Sequence, residues 1–192
     1  MVRLTQQLEG VPMSLRLALS AVALAGLANA AYAANPDVGG APMFETKNIV
    51  ENAVNSADHT TLVAAVKAAD LVDALMGDGP FTVFAPVNDA FAALPAGTVD
   101  TLLLPENKDL LTKVLTAHVV AGDLKLADLR AKVGSDGYAN LKTLSGDALS
   151  IRFKGDTAMI YSESRNIGTI TIGDVDQSNG VIHVIDAVMV PK

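Results

Sequence analysis

The three histidines, His59, His118 and His183, are the residues best suited to acid–base or metal chemistry near neutral pH. No two of them have a ligand spacing such as i, i+4, and the chain contains no cysteine, so a zinc site is not expected. His118 shares an apolar helical stripe with Val114 and Leu115. A histidine in this setting is most often buried and bonded to the backbone, and it is also a candidate pH-sensitive contact.

A run of alternating oxygen-bearing side chains, Asp174, Asp176 and Ser178, begins like a calcium-binding loop. Such a loop needs glycine at its sixth position and a carboxylate at its twelfth, where this chain has Asn179 and Ile185. We therefore interpret the run as a polar turn between strands. The sequence predicts no resident metal and no other cofactor.

Sequence motifs of catalysis are missing from the chain. Neither a G-x-S-x-G nucleophile elbow, nor a phosphate-binding G-x-x-x-x-G-K, nor a zinc-binding H-E-x-x-H occurs. The absence of cysteine excludes thiolate nucleophiles and disulfides, and a formal net charge of −7 makes nucleic acid a poor partner. The chain is therefore predicted not to be an enzyme.

The first 33 residues have the order of a secretory signal peptide. Arg16 precedes an uncharged apolar run at residues 17–27, and small residues follow, with an A-x-A site at residues 31–33. The apolar run is short against the roughly 20 residues that span a membrane. We predict cleavage after Ala33, export to the periplasm, the cell surface or the medium, and no stable membrane insertion afterwards. Met13 is a second candidate for the start of translation.

Hydrophobic periodicity predicts helices in the first half of the remaining chain. Residues 34–43, rich in glycine, proline and asparagine, are predicted to be a flexible leader. Apolar residues recur every three or four positions over residues 60–76 and 106–119, which predicts helices with one buried face. Between them, Asn88 is predicted to cap a short helix over residues 89–94.

The period then changes from about 3.6 to two, which predicts strands. Residues 149–153 and 157–161 are predicted to form a hairpin, and residues 169–172 another strand. Residues 181–190 are apolar on both faces, as in a central strand covered on both sides. Helices followed by strands predict one α+β domain over residues 44–192.

Three sequence segments follow one another along the chain in a fixed order. Residues 79–91 read GPFTVFAPVNDAF, residues 115–120 read LTAHVV, and residues 178–186 read SNGVIHVID, with Val190 and Pro191 shortly after. Together they resemble the motifs of the fasciclin domain family, once, over roughly residues 44–191. The resemblance implies a wedge-shaped α+β fold, in which two small β-sheets pack with a cluster of helices from the N-terminal half.

The same resemblance implies adhesion or surface interaction, because the family is known as extracellular cell-adhesion modules. Family members usually have tyrosine before the histidine of the second segment, where this chain has Ala117, so a tyrosine hydroxyl contact proposed for adhesion is missing. In animal members an Asp-Ile pair before the third segment is implicated in receptor binding, and Asp174 and Val175 hold that place. The candidate partner-binding residues are Asp174, Val175 and His118.

The predicted function is therefore non-catalytic binding of an envelope or extracellular protein or polysaccharide, with weak self-association allowed. The negative charge favours neutral or cationic groups on the partner. Two alternatives stay open. One is a small-ligand-binding or hydrolytic protein with a pocket near His118, and the other is an envelope protein that self-associates for a structural purpose.

Overall fold

The structure, a computed structural model, describes residues 35–192, so the signal peptide predicted at residues 1–33 lies outside the described residues. None of the helices in this range is long and apolar enough to cross a lipid bilayer. The helices are α1 (Ile49–Ala53), α2 (Thr60–Ala68), α3 (Val72–Met76), α4 (Asn88–Ala92), α5 (Thr98–Leu102), α6 (Lys108–Thr116) and α7 (Leu126–Ala131). The strands are β1 (Asp37–Val38), β2 (Ala41–Pro42), β3 (Phe81–Pro86), β4 (Val119–Ala121), β5 (Ala139–Lys142), β6 (Ala148–Lys154), β7 (Thr157–Ser162), β8 (Ile167–Gln177) and β9 (Gly180–Ile185).

Seven of the strands form one sheet in the order β4-β3-β9-β8-β7-β6-β5, and β1 and β2 form a separate hairpin. β9 is buried along its whole length and pairs parallel with β3 and antiparallel with β8. Val120 in β4 also bridges to Thr143, which directly follows β5, so the two end strands of the sheet meet. The α+β class is confirmed, with helices and two sheets.

The large sheet separates two hydrophobic cores. Because successive side chains of a strand point to opposite faces, Val83 and Ala85 of β3 enter the core beneath the helices, whereas Phe84 enters the other. In that second core Phe84 packs with β-strand residues such as Ile160 and with Leu129 of α7, all of them fully buried. The helix α7 therefore covers one side of the second core.

The single helix predicted over residues 60–76 is two helices, α2 and α3, because the chain turns at Asp70. Asp70 has φ +55°, in the left-handed region. Its N–H donates to the Lys67 carbonyl, and the Leu71 N–H donates to the Val66 carbonyl. These two bonds are the Schellman ending of a helix, in which glycine is the usual left-handed residue. Aspartate in that place left the apolar periodicity of the sequence uninterrupted.

The flexible leader predicted over residues 34–43 is ordered from Asn35 onward and contributes to the core. β1 and β2 pair through Val38 and Ala41, and both side chains are buried, as is Met43. The Ala57 N–H donates to the Gly39 carbonyl, which ties the hairpin to the segment before α2. Three buried apolar side chains offset the flexibility that the composition of this segment implied.

The later strands follow the predicted pattern with one difference at the C-terminal end. The hairpin predicted from the period of two is present as β6 and β7, and residues 169–172 lie within the longer β8. The strand predicted over residues 181–190 ends at Ile185, after which Asp186 bends the chain and accepts a hydrogen bond from the Thr169 N–H at 2.6 Å. Val188 and Met189 are buried outside any strand, which explains their apolar character.

Asn88 stabilises the start of α2 and not the start of its own helix. Its Oδ1 accepts hydrogen bonds from the Thr61 N–H at 3.0 Å and the Thr60 hydroxyl at 3.2 Å, and its Nδ2 donates to the Ala57 carbonyl at 2.8 Å. The helix α4 begins at Asn88 itself without a side-chain cap. The prediction that Asn88 caps residues 89–94 is therefore wrong, because a helix distant in sequence uses its amide.

Replacing Asn88 with alanine is expected to lower the free energy of unfolding by about 1–2 kcal/mol, since one helix loses its cap. Amide hydrogen exchange locates the effect: the Thr61 N–H should exchange faster, while the Phe91 N–H in α4 should keep its rate. Asn107→Ala is the control, because that side-chain amide donates to the Thr101 carbonyl near the end of α5 and hydrogen-bonds to neither α2 nor α4. Faster exchange at Phe91 with no change at Thr61 would instead support the prediction that Asn88 caps its own helix, α4.

Candidate functional site

A β-bulge in β8 presents Asp174 on the surface. Ile172 and Val175 of β8 pair with Val184 and Ile182 of β9, so β8 has one residue more than its partner between these pairs. The extra residue bends the strand and redirects a side chain, as bulges commonly do. Asp174 is exposed here, whereas its neighbour Val175 is fully buried.

The backbone of Asp174 is held from two sides. Its φ of +57° is unusual for a residue with a side chain, and aspartate is among the few residue types that adopt it readily. Its carboxylate accepts a hydrogen bond from the Leu126 N–H at the start of α7 at 2.6 Å, and its own N–H donates to His183 Nδ1 at 3.2 Å. A Cβ on the preceding Gly173 would lie 2.5 Å from Leu126 Cδ1, so any larger residue at this close approach of α7 and β8 would have to displace the Leu126 side chain.

The surface around the bulge carries more negative than positive charge. Lys125 donates to the Asp176 carboxylate at 2.9 Å, and this hydrogen bond raises the pKa of the lysine, with smaller contributions from the charges of Asp123 and Asp174. The charges of three carboxylates thus act on one ammonium group. We call this surface, formed by Asp123, Lys125, Asp174 and Asp176, the bulge face.

The structure separates the three candidate partner-binding residues. Asp174 is exposed on the bulge face, but the Val175 side chain is 0% exposed and belongs to the core beneath the helices. His118 is 3% exposed, directly before β4. Because Val175 and His118 are buried, their side chains have no surface to offer a partner. Of the three, only Asp174 stays a candidate for direct contact.

His118 is a structural histidine whose two ring nitrogens are both occupied. Its Nδ1 donates to the Val114 carbonyl at 2.8 Å, and its Nε2 accepts from the Met189 N–H at 2.8 Å. Burial lowers its pKa to about 4, against the smaller opposite effect of the hydrogen bond to Val114. The neutral ring therefore connects the end of α6 to the C-terminal segment, and neither nitrogen is free to act as a base.

His183 is also a structural histidine, but the roles of its ring nitrogens are reversed: Nε2 donates and Nδ1 accepts. Its Nε2 donates to the Leu124 carbonyl at 2.8 Å, its Nδ1 accepts from Asp174, and its ring stacks on Phe84 with the ring centroids 5.5 Å apart. Burial lowers the pKa of His183 and also that of His59. Among residues 35–192 no group of three or more histidine or acidic side chains is placed to hold a metal ion.

Two structurally important residues had no signal in the sequence that revealed their role. Lys125 contacts Asp176 across 51 residues, and only the packing of α7 on β8 brings them together. Asn179 belongs to the third family-like segment, yet its side chain contacts residues more than 100 positions away. An asparagine before glycine is typical of a turn, and the turn alone explained it in the sequence.

The comparisons with known sequences and structures decide the family. A family model described as the fasciclin domain matches residues 57–191. The chain belongs to the fasciclin domain family. The matched range contains all the strands of the seven-stranded sheet and all the helices except α1. The fold expected from the resemblance of the three sequence segments is thereby confirmed.

Relatives of this fasciclin domain occur in bacteria. Protein sll1483 of Synechocystis sp. is 53% identical over 143 residues, which cover 74% of this chain and 73% of the relative. Immunogenic protein MPB70 of Mycobacterium bovis is 35% identical over 144 residues, covering 72% of this chain and 66% of the relative.

A solved structure of a related fold can be compared with this fasciclin domain. It is a FAS1 domain pair from the insect cell adhesion molecule Fasciclin I, with a TM-score of 0.66 at 19% identity. The match covers 74% of this chain and 50% of that chain, so the present chain spans about half of the insect domain pair. At this identity the comparison describes the fold alone.

Proposed function

We propose that the protein is an exported, non-catalytic adhesion module that binds an envelope or extracellular protein or polysaccharide through the bulge face. Membership of the fasciclin family supports this proposal, as does the fold shared with a domain pair of an insect cell adhesion molecule. The signal peptide predicted from the sequence supports export. The proposed partner is not a nucleic acid, and the protein does not insert into a membrane to bind it.

The observation that carries the proposal is the exposure of Asp174 on a rigid backbone. The hydrogen bonds to Leu126 and His183 fix the residue before any partner arrives, so little conformational entropy is lost when a partner binds. The acidic excess of the bulge face favours a partner that offers a cationic or hydrogen-bond-donating group.

The hydrolytic alternative has less support. It needs a base near the pocket, and both nitrogens of His118 are engaged with backbone groups. Self-association stays a secondary proposal, because a domain with one binding face must pair with another copy to connect two surfaces.

The test is binding of the immobilised protein to washed cells and envelope fractions. Asp174→Asn keeps an oxygen acceptor for the Leu126 N–H and removes the charge. Saturable binding should weaken about tenfold or more, since a hydrogen bond to a charged group is worth roughly 1.5–3 kcal/mol.

The matched control is Asp156→Asn, an exposed aspartate in the turn between β6 and β7 that is not part of the bulge face. It should bind as the unmodified protein does. Equal weakening by both variants would mean that net charge, and not Asp174 itself, determines binding. If the protein showed no saturable binding to any fraction, the adhesion proposal would be rejected.

A further inference from the structure

An apolar cleft of about 150 Å³ lies between helices α1, α2, α3 and α6 and strand β3. Its walls are aliphatic and aromatic side chains, among them Leu62, Val66 and Leu75, which retain 9%, 8% and 9% exposure although they belong to the core. Apolar space of this size and lining accommodates small apolar molecules. The cleft is distinct from the bulge face and shares no residue with it.

The polar side chains at the cleft are three, and two of them are already satisfied. Both nitrogens of His118 bond to the backbone, and the Thr116 hydroxyl donates to the Thr112 carbonyl within α6. The third is Lys67, which is exposed and forms no salt bridge with any residue that the structure describes. Asp70, on the following turn, pairs with Lys108 instead.

The position of Lys67 gives the cleft two chemically different parts. A lysine that lines an apolar surface lays its methylene groups against that surface and keeps its ammonium group in water. Leu144, which also lines the cleft, is 49% exposed, so the cleft opens to solvent past an apolar side chain. An occupant that fits both parts has an apolar chain and an anionic end.

We propose that this cleft binds a free aliphatic carboxylate of medium length, with its chain among Leu62, Val66 and Leu75 and its carboxylate beside Lys67. A cavity of this volume holds roughly six carbons, as the benzene-binding cavity of similar size illustrates. Octanoate is the matching probe, because about six of its carbons would fill the cleft, the remaining carbon would lie at the mouth, and the carboxylate would stay in solvent beside Lys67. This site is independent of the proposed adhesion surface.

The first test is a calorimetric titration of the purified protein with butanoate, hexanoate, octanoate and dodecanoate. Affinity should rise about fourfold with each added methylene group while the cleft fills, because each buried methylene contributes about 0.8 kcal/mol. The rise should stop once the chain is longer than the cleft. No binding, or affinity that keeps increasing through dodecanoate, would overturn the proposal.

The second test separates the charge from the chain. Lys67→Met keeps an unbranched apolar side chain and removes the ammonium group, so octanoate should bind about two- to fivefold more weakly, as expected for an exposed ion pair. The affinity for octanol should not change. Equal effects on octanoate and octanol, or no effect on either, would exclude the anionic class of ligand.

The third test fills the cleft. Ala53→Leu in α1 places a larger side chain at its wall and should weaken octanoate and octanol alike by at least about tenfold. The control is Ala64→Leu in α2, an exposed position outside the cleft, which should bind both ligands normally. Unchanged binding by folded Ala53→Leu would place the ligand elsewhere, and the chain-length series on the unmodified protein decides the question if that variant does not fold.

Discussion

Replacing Asn179 with alanine is expected to lower the free energy of unfolding by about 3–4 kcal/mol, since three backbone groups lose their partner. The Asn179 Oδ1 accepts from the Ile49 N–H at 3.0 Å, and its Nδ2 donates to the carbonyls of Leu75 at 2.8 Å and Gly77 at 2.9 Å. The side chain is 7% exposed, so water cannot readily replace it. One amide thus joins the start of α1, the end of α3 and the turn before β9.

The measurement is urea unfolding of Asn179→Ala beside Ser178→Ala. Ser178 is exposed and takes part through its backbone N–H, which donates to the Lys47 carbonyl and survives the substitution. The serine variant should therefore differ from the unmodified protein by less than about 0.5 kcal/mol. If Asn179→Ala were equally mild, the three hydrogen bonds would contribute little to stability.

Acidification is expected to destabilise the protein through His118. The pKa of this histidine is 6.5 in an unfolded chain and about 4 in the fold, because burial disfavours its charged form. Between these values the unfolded chain binds a proton that the folded protein does not, so the free energy of unfolding falls as the pH is lowered. From pH 7 to pH 4 the loss from this group is about 3 kcal/mol.

The measurement is the urea midpoint and slope as a function of pH, for the unmodified protein and for His118→Gln. Glutamine can donate and accept hydrogen bonds but does not titrate. The variant should be less stable at pH 7 and should lose less stability on acidification, with a residual slope from His59 and His183, whose pKa values are also lowered by burial. Identical pH profiles would mean that another group controls the acid sensitivity.

The sequence predicted the elements of this fold better than the contacts that connect them. The hairpin β6–β7 and the buried face around His118 followed from hydrophobic periodicity, which reflects burial directly. The helix end at Asp70 was missed because a left-handed aspartate resembles any polar residue on the exposed face of a helix. The sequence around such a residue is the same whether it continues the helix or ends it in the left-handed conformation.

Side-chain hydrogen bonds between distant elements were the harder part of the prediction. Asn88 and Asn179 both stand in segments that the sequence singled out, and in both cases the expected partner was local, whereas the real partners lie in other helices. The surface candidate Asp174 was found by resemblance to the family. Asp174 is exposed and Val175 is buried because of the bulge in β8. A bulge is hard to predict, because the alternation of polar and apolar residues continues on either side of the extra residue.

The contact between Val120 and Thr143 has a consequence for how copies of this protein behave when crowded. An open sheet exposes rows of unpaired N–H and C=O groups that recruit strands from neighbouring molecules and lead to fibrous aggregates. Here the two end strands have three and four residues and face each other through this bridge, supported by a hydrogen bond from the Leu144 N–H to the Val119 carbonyl at 2.8 Å. The sheet therefore offers other chains little backbone to extend, so densely packed copies would meet mainly through side chains on loops and helices.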